Sequence, residues 1–185
     1  WEEPDHLVKH FPYYHAGYDA EDRPVWMAEM GKFNVRREVE LGEENLKILL
    51  KYAFNAVYRI IRTIHEKDTP KQEVRYASFL FDLDGFDLYQ FGHAATMMFI
   101  LRVFREYKEV IRELLGYCML VNANHFAQLT INLVRPILGP VLERVDVHGT
   151  NKGKWLPMVR RQFPEDIIPL WYGGTPKFKP IQVYG

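Results

Sequence analysis

Two carboxylates one residue apart, Asp82 and Asp84, follow an apolar run in the segment FLFDLDGFD. Delivered from the end of a buried strand, such a pair can transfer phosphoryl groups. Phe86 stands where that chemistry wants a hydroxyl beside the phosphate, so the chemical reading is weak. The plainer role is structural: an acid at a strand end caps the next helix or binds loop amides. Ser78 is the chain's one serine and lacks the glycines of a nucleophile elbow. Cys118, in YCMLV, has no base nearby in sequence to make a thiolate and reads as a small buried hydrophobe. His6 and His10 have helical i, i+4 spacing, but HLVKH lacks the glutamate of a metalloprotease helix and reads as an exposed face. Gly31-Lys32 is an isolated pair, not a phosphate-binding loop. The residues therefore point away from an enzyme, a metal site and a cofactor.

The elements that place these residues follow from pattern. At 185 residues, 48% hydrophobic and 15% aromatic, the chain suffices for one domain with a sizeable core. Its apolar runs fall short of the ~20 residues that span a bilayer. Lys plus Arg equals Asp plus Glu at 24 each, which disfavours nucleic acid as a partner. One cysteine fits a reducing, cytoplasmic setting. Residues 1–24 read as a helix end and a turn punctuated by Gly17 and Pro24. PVWMAEMG reads as a strand stopped by Gly31. From Glu43 to about Ile64 a helix is predicted, with Leu46, Leu49, Leu50, Ala53, Val57, Ile60, Ile61 and Ile64 on one face.

YASFLFDL is continuously apolar, the mark of a strand covered on both faces. Gly92 to Leu115 reads as helical with a break near Tyr107, YCMLV as a second buried strand, and Phe126–Val134 as a helix ending before Pro136. VDVH reads as a third inner strand and Lys154–Arg161 as a helix, with IIPLWYGG closing the domain. The alternation predicts a three-layer α/β fold with a mainly parallel mixed sheet and helices around a hydrophobic pocket. The Pro- and Lys-punctuated residues 175–185 read as a tail or linker.

Four segments in this order, FPYYHAGYDAEDRPVW, DLDG, VNANHFAQLTINLVRPILGPVLERVDVHG and FPEDIIPLWYGG, resemble the CRAL-TRIO domains. These are the lipid-binding domains of retinaldehyde-binding, α-tocopherol-transfer and secretory phosphatidylinositol-transfer proteins, and the resemblance covers residues 1–174. The family's N-terminal helical bundle has no counterpart beyond WEEPDHLVKH. In the family a D-L-x-G strand end is architectural, which the resemblance carries to Asp82. The rival similarity is to the D-x-D-G-T strand of haloacid-dehalogenase phosphatases, and it leaves roughly 80 residues ahead of a strand that usually opens that domain.

The resemblance implies a hydrophobic cargo: a phospholipid such as phosphatidylinositol, or an isoprenoid such as tocopherol, a retinoid or a carotenoid. The cargo would be carried or presented between membranes, with transient contact at the membrane surface and no cofactor besides the bound lipid. It also allows a further domain downstream in a longer parent chain. Extracting a two-chain lipid of about 30 methylenes from a membrane costs on the order of 20 kcal/mol, so the carrier must enclose it in apolar surface. The implied pocket is lined by Phe79, Phe81, Leu88, Met97, Val103, Tyr107, Ile111, Leu115 and Cys118, with Met98, Phe104 and Met119 beside them. From the residues alone, a solid core, as in a ligand-free interaction module, is the favoured use of the same side chains, and the resemblance reverses that preference. The implied gate is the helix bearing Phe126, Leu129, Leu133 and Val134, entered through Asn124 where the family has proline. Glu113 and Arg144 fall at the headgroup positions of phosphatidylinositol binders, although Ile111 and Arg112 replace the aromatic and proline of the Y-P-E motif.

Overall fold

A computed structural model describes residues 1–185. The chain runs α1 (Asp5–His10), β1 (Tyr13–Tyr18), β2 (Pro24–Ala28), α2 (Val35–Glu40), α3 (Glu43–Lys67), β3 (Ala77–Asp82), α4 (Leu88–Phe91), α5 (Ala94–Leu114), β4 (Leu115–Val121), α6 (His125–Leu138), β5 (Val145–Val147), α7 (Lys152–Gln162) and β6 (Gln182–Tyr184). One six-stranded sheet has the order β5-β4-β3-β2-β1-β6. Strands β2 to β5 are parallel, whereas β1 is antiparallel to both β2 and β6. This is the three-layer α/β mixed sheet that the alternating pattern predicts.

Strand periodicity sorts the core into two halves. Trp26, Ala28, Ala77, Phe79 and Cys118 point toward α1, α3 and α5, forming a cluster of 16 buried residues. Val25, Met27, Leu80, Met119 and Val121 point the other way, into a cluster of 12 with Trp155 and Val159 of α7 and with Phe163, Ile167, Ile168 and Tyr172. The central place of β3 explains why its sequence is apolar without alternation.

Several local expectations are corrected. The segment read as a turn before Pro24 holds β1, whose strand signal is blurred by Gly17 and by an irregular register between His15 and Gly17. VDVH lies at an edge of the sheet, not inside it, and Asp146 and Val147 are exposed. Helix α5 is unbroken at Tyr107, because Phe99, Val103, Ile111 and Leu114 keep one apolar face and no Gly or Pro interrupts. Helix α6 runs through Pro136 to Leu138, so the proline removes one amide without ending the helix. Within the segment read as a linker, residues 182–184 form β6 and extend the sheet.

Candidate functional site

The two faces of the sheet differ in how tightly they close. On the α7 side, Leu80 and Met119 are each 1% exposed. Their neighbours in sequence, Phe81 and Leu120, point to the opposite face and are only half-buried, although β3 and β4 are interior strands. Val103, Ile111 and Leu114 of α5, Leu138 of α6 and Val145 of β5 are likewise half-buried and border the same cluster. Phe126, Leu129 and Val134 of α6 lie outside that cluster. On the α7 side, Tyr14, Tyr117, Leu156, Met158 and Phe178 are likewise half-buried against their cluster, so the contrast rests on the paired neighbours Leu80/Phe81 and Met119/Leu120.

The residues named from sequence fall as follows. Phe79, Leu115 and Cys118 are buried on the looser face, with Phe81 against Phe79 at 5.4 Å between ring centroids. Val103 and Ile111 reach the same cluster from α5, and Tyr107 is half-buried between them on that helical face. Met97 is buried but outside the cluster. Three expectations are overturned by placement. Leu88 is exposed at the first position of α4, behind the Asp87 cap, and cannot line an internal space. Met119 belongs to the sealed face, because strand alternation turns it away from Cys118. Met98 is exposed as well. Burial pushes the Cys118 thiol well above its ordinary pKa, so it packs as a neutral hydrophobe.

At the C-terminal end of β3, Asp82 is a hub of local structure. Its Oδ1 accepts hydrogen bonds from the Asp84 amide (2.9 Å) and from Asn122 Nδ2 (2.9 Å). Its Oδ2 accepts from the Tyr172 hydroxyl at 3.0 Å. Asn122, in the left-handed region at φ 57°, passes the network on by accepting from Trp155 Nε1 at 3.1 Å. Burial, followed by the nearby Asp82 charge, pushes the Tyr172 hydroxyl strongly upward in pKa and keeps it a donor. The carboxylate thus ties the ends of β3 and β4 to the α7 layer, which is architectural work. No three His, Cys, Asp or Glu side chains converge as a metal site.

Helix α6 is anchored at its start. Asn124 Oδ1 caps it by accepting from the Ala127 amide at 3.0 Å, while Asn124 Nδ2 donates to the Phe86 carbonyl. Phe126 packs on Phe91 with ring centroids 5.7 Å apart. Leu129 is half-buried, Val134 buried and Leu133 exposed. Asn124, at the position where the family has proline, therefore holds this helix to the loop after β3.

Arg144 and Glu113 do not meet as an ion pair. Arg144 donates to the carbonyls of Leu115 (2.8 Å) and Arg112 (3.2 Å), closing the C-terminus of α5, and lies 5.4 Å from the Tyr76 ring. It borders a surface depression of about 420 Å³ with Lys108, Glu109, Arg112 and Glu143, over a wall that includes Leu138 and Val141. Glu113 is exposed elsewhere, and Glu109, one helical turn earlier, pairs with Arg112. Lys108, Glu109 and Arg112 were missed in the sequence. Their signal was the one-turn spacing from Ile111 to Tyr107, which sets Tyr-Lys-Glu at 107–109.

The model of the CRAL/TRIO domain matches residues 8–174, and the chain belongs to the CRAL-TRIO family. It is 24% identical over 173 residues to a CRAL-TRIO domain-containing protein of Saccharomyces cerevisiae, covering 91% of this chain and 53% of that protein. It is also 24% identical over 178 residues to the SEC14 cytosolic factor of Eremothecium gossypii, covering 94% of this chain and 55% of that one. The chain spans about half the length of these curated relatives. The crystal structure of Sfh5 superposes with a TM-score of 0.64 at 13% identity, covering 94% of this chain and 64% of the other, which shows the shared fold.

Proposed function

We propose that this domain holds one hydrophobic molecule between the Phe79/Phe81/Leu120 face of the sheet and helices α5 and α6, and carries or presents it at membranes without covalent chemistry. The observation that carries the reading is the contrast between adjacent residues of interior strands. Leu80 and Met119 are sealed at 1% exposure, while Phe81 and Leu120 retain accessible surface toward the helices. Membership of the CRAL-TRIO family supports the same use.

The depression bordered by Arg144, Lys108 and Arg112 supports a lipid with an anionic headgroup, such as phosphatidylinositol. Lys108, Arg112 and Arg144 outnumber Glu109 and Glu143 there, and a guanidinium fork suits a phosphate. Isoprenoids, needing no such site, are the second class of cargo. No helix is long and apolar enough to cross a membrane. The Eremothecium relative is named a cytosolic factor, which supports a cytoplasmic carrier that visits membranes. Organic extraction and native mass spectrometry of the purified protein test the proposal. One lipid per chain is expected, and a chain with no bound or loadable lipid overturns it.

A further inference from the structure

The outward side of α3 carries a stripe that packing leaves unexplained. Lys47, Lys51, Phe54 and Tyr58 follow i, i+4, i+7, i+11 spacing, so they stand above one another on one side of the helix. Phe54 is 56% exposed and Tyr58 60%, with Ile48 exposed nearby. Trp1, itself 54% exposed, lies under the Lys51 ammonium at 4.5 Å from the ring centroid. Lys47 is paired with Glu44, but Lys51 has no carboxylate partner and leaves one uncompensated positive charge amid three exposed aromatic rings.

Aromatic rings with polar edges, interleaved with lysines whose stems lie along apolar surface, are the composition that settles at the boundary of water and acyl chains. The unpaired cation is complementary to an anionic bilayer. The stripe begins one turn from Glu43, where α3 meets α5. Helix α3 packs on α2 and β2, whereas α5 packs chiefly on α6 and α2. The polar link across the α3–α5 seam is Glu43 to Arg102 at 3.7 Å, and Arg102 is shared with Glu106. Half-buried Leu50, Val57 and Ile61 lead from the stripe toward the core.

We infer that the Lys51–Phe54–Tyr58 face of α3, together with Trp1, is a docking surface for an anionic lipid bilayer, placing the α3–α5 seam against the membrane. This rests on the carrier reading above, and it assigns membrane contact to a helix other than the implied gate. The test is vesicle co-sedimentation with phosphatidylcholine alone and with added phosphatidylserine. It compares wild type, the Phe54→Ser/Tyr58→Ser double variant, Lys51→Glu and, on α6, Leu133→Ser, each checked for an unchanged urea midpoint and for bound lipid. A loss of about tenfold or more is expected for the double variant on both vesicle types. Lys51→Glu should lose only the gain due to phosphatidylserine, and Leu133→Ser, on the implied gate, should lose less than the double variant. A double variant that binds like wild type overturns the inference, as does loss confined to Leu133→Ser. Wild type that carries lipid yet ignores vesicles overturns the docking surface and leaves the carrier reading standing. Wild type that binds vesicles through this stripe while carrying no lipid does the reverse.

Discussion

Tryptophan substituted at Met119 and at Leu120, one at a time, separates a hollow layer from a solid one. The two positions are neighbours on β4 and face opposite sides of the sheet. Met119 is 1% exposed among Val25, Leu80 and Val159, so a larger ring there must displace packed atoms. Overpacking of that kind costs about 1–3 kcal/mol. Leu120 is half-buried toward α5 and α6, and an indole entering unfilled space should cost less than about 0.5 kcal/mol or even stabilise. In urea, with a slope of about 1–3 kcal/mol/M, the two midpoints should differ by roughly 1 M. Delipidated protein is the right sample, because bound ligand would stabilise wild type by mass action. The same Leu120→Trp protein should then carry less lipid than wild type, since the ring occupies cargo space. Equal destabilisation by both substitutions, with cargo unchanged in Leu120→Trp, would falsify the claim that this layer admits a ligand.

Other outcomes follow from the same geometry. Asp82→Ala strands the Tyr172 hydroxyl, Asn122 Nδ2 and the Asp84 amide, and should lower stability by about 2–4 kcal/mol in chemical denaturation. Generic phosphoester turnover with Mg²⁺ should stay at background in wild type and in Asp82→Asn alike; turnover that Asp82→Asn abolishes would revive the phosphatase reading. Arg144→Ala should weaken binding of labelled phosphatidylinositol while leaving isoprenoid binding unchanged; equal loss of both would reduce Arg144 to a helix stop. Phe126→Asp should slow lipid transfer between vesicles, at some cost in stability because Phe126 packs on Phe91, and unchanged transfer would argue against a role for α6 as gate. Alkaline pH should lower the stability of the protein between about pH 10 and 12. Burial raises the Tyr13 hydroxyl to about 12, so its contribution is complete below 10 and lost as pH rises through 12. Tyr13→Phe should flatten that part of the pH–stability curve, and an unaltered slope would refute the assignment.

Much of the architecture was legible because it rests on short-range pattern. The continuous apolar run at 77–82 identified a strand buried on both faces, and the 3.6-residue spacing of Leu46 to Ile64 identified α3. The modest role of Asp82 was also readable, since Phe86 removes the hydroxyl that phosphate chemistry would want. Strand β1 escaped because Gly17 and a bulge break its alternation, and β6 because three residues near a chain end gain stability only by pairing with β1. Pro136 misled because helix termination by proline is a local preference, which packing of α6 on α5 overrode.

The sequence by itself determined which residues are apolar, with what period, and hence the layers and the family. Only the tertiary structure decided that Met119 turns away from Cys118, that Leu88 is outside, and that Arg144 closes α5 beside Glu109, not beside Glu113. It also decided that Phe81 and Leu120 stay half-buried on one face while Leu80 and Met119 are sealed on the other. Period assigns a side chain to a face, but the degree of filling depends on how closely helices remote in sequence approach that face, and no local pattern encodes that distance.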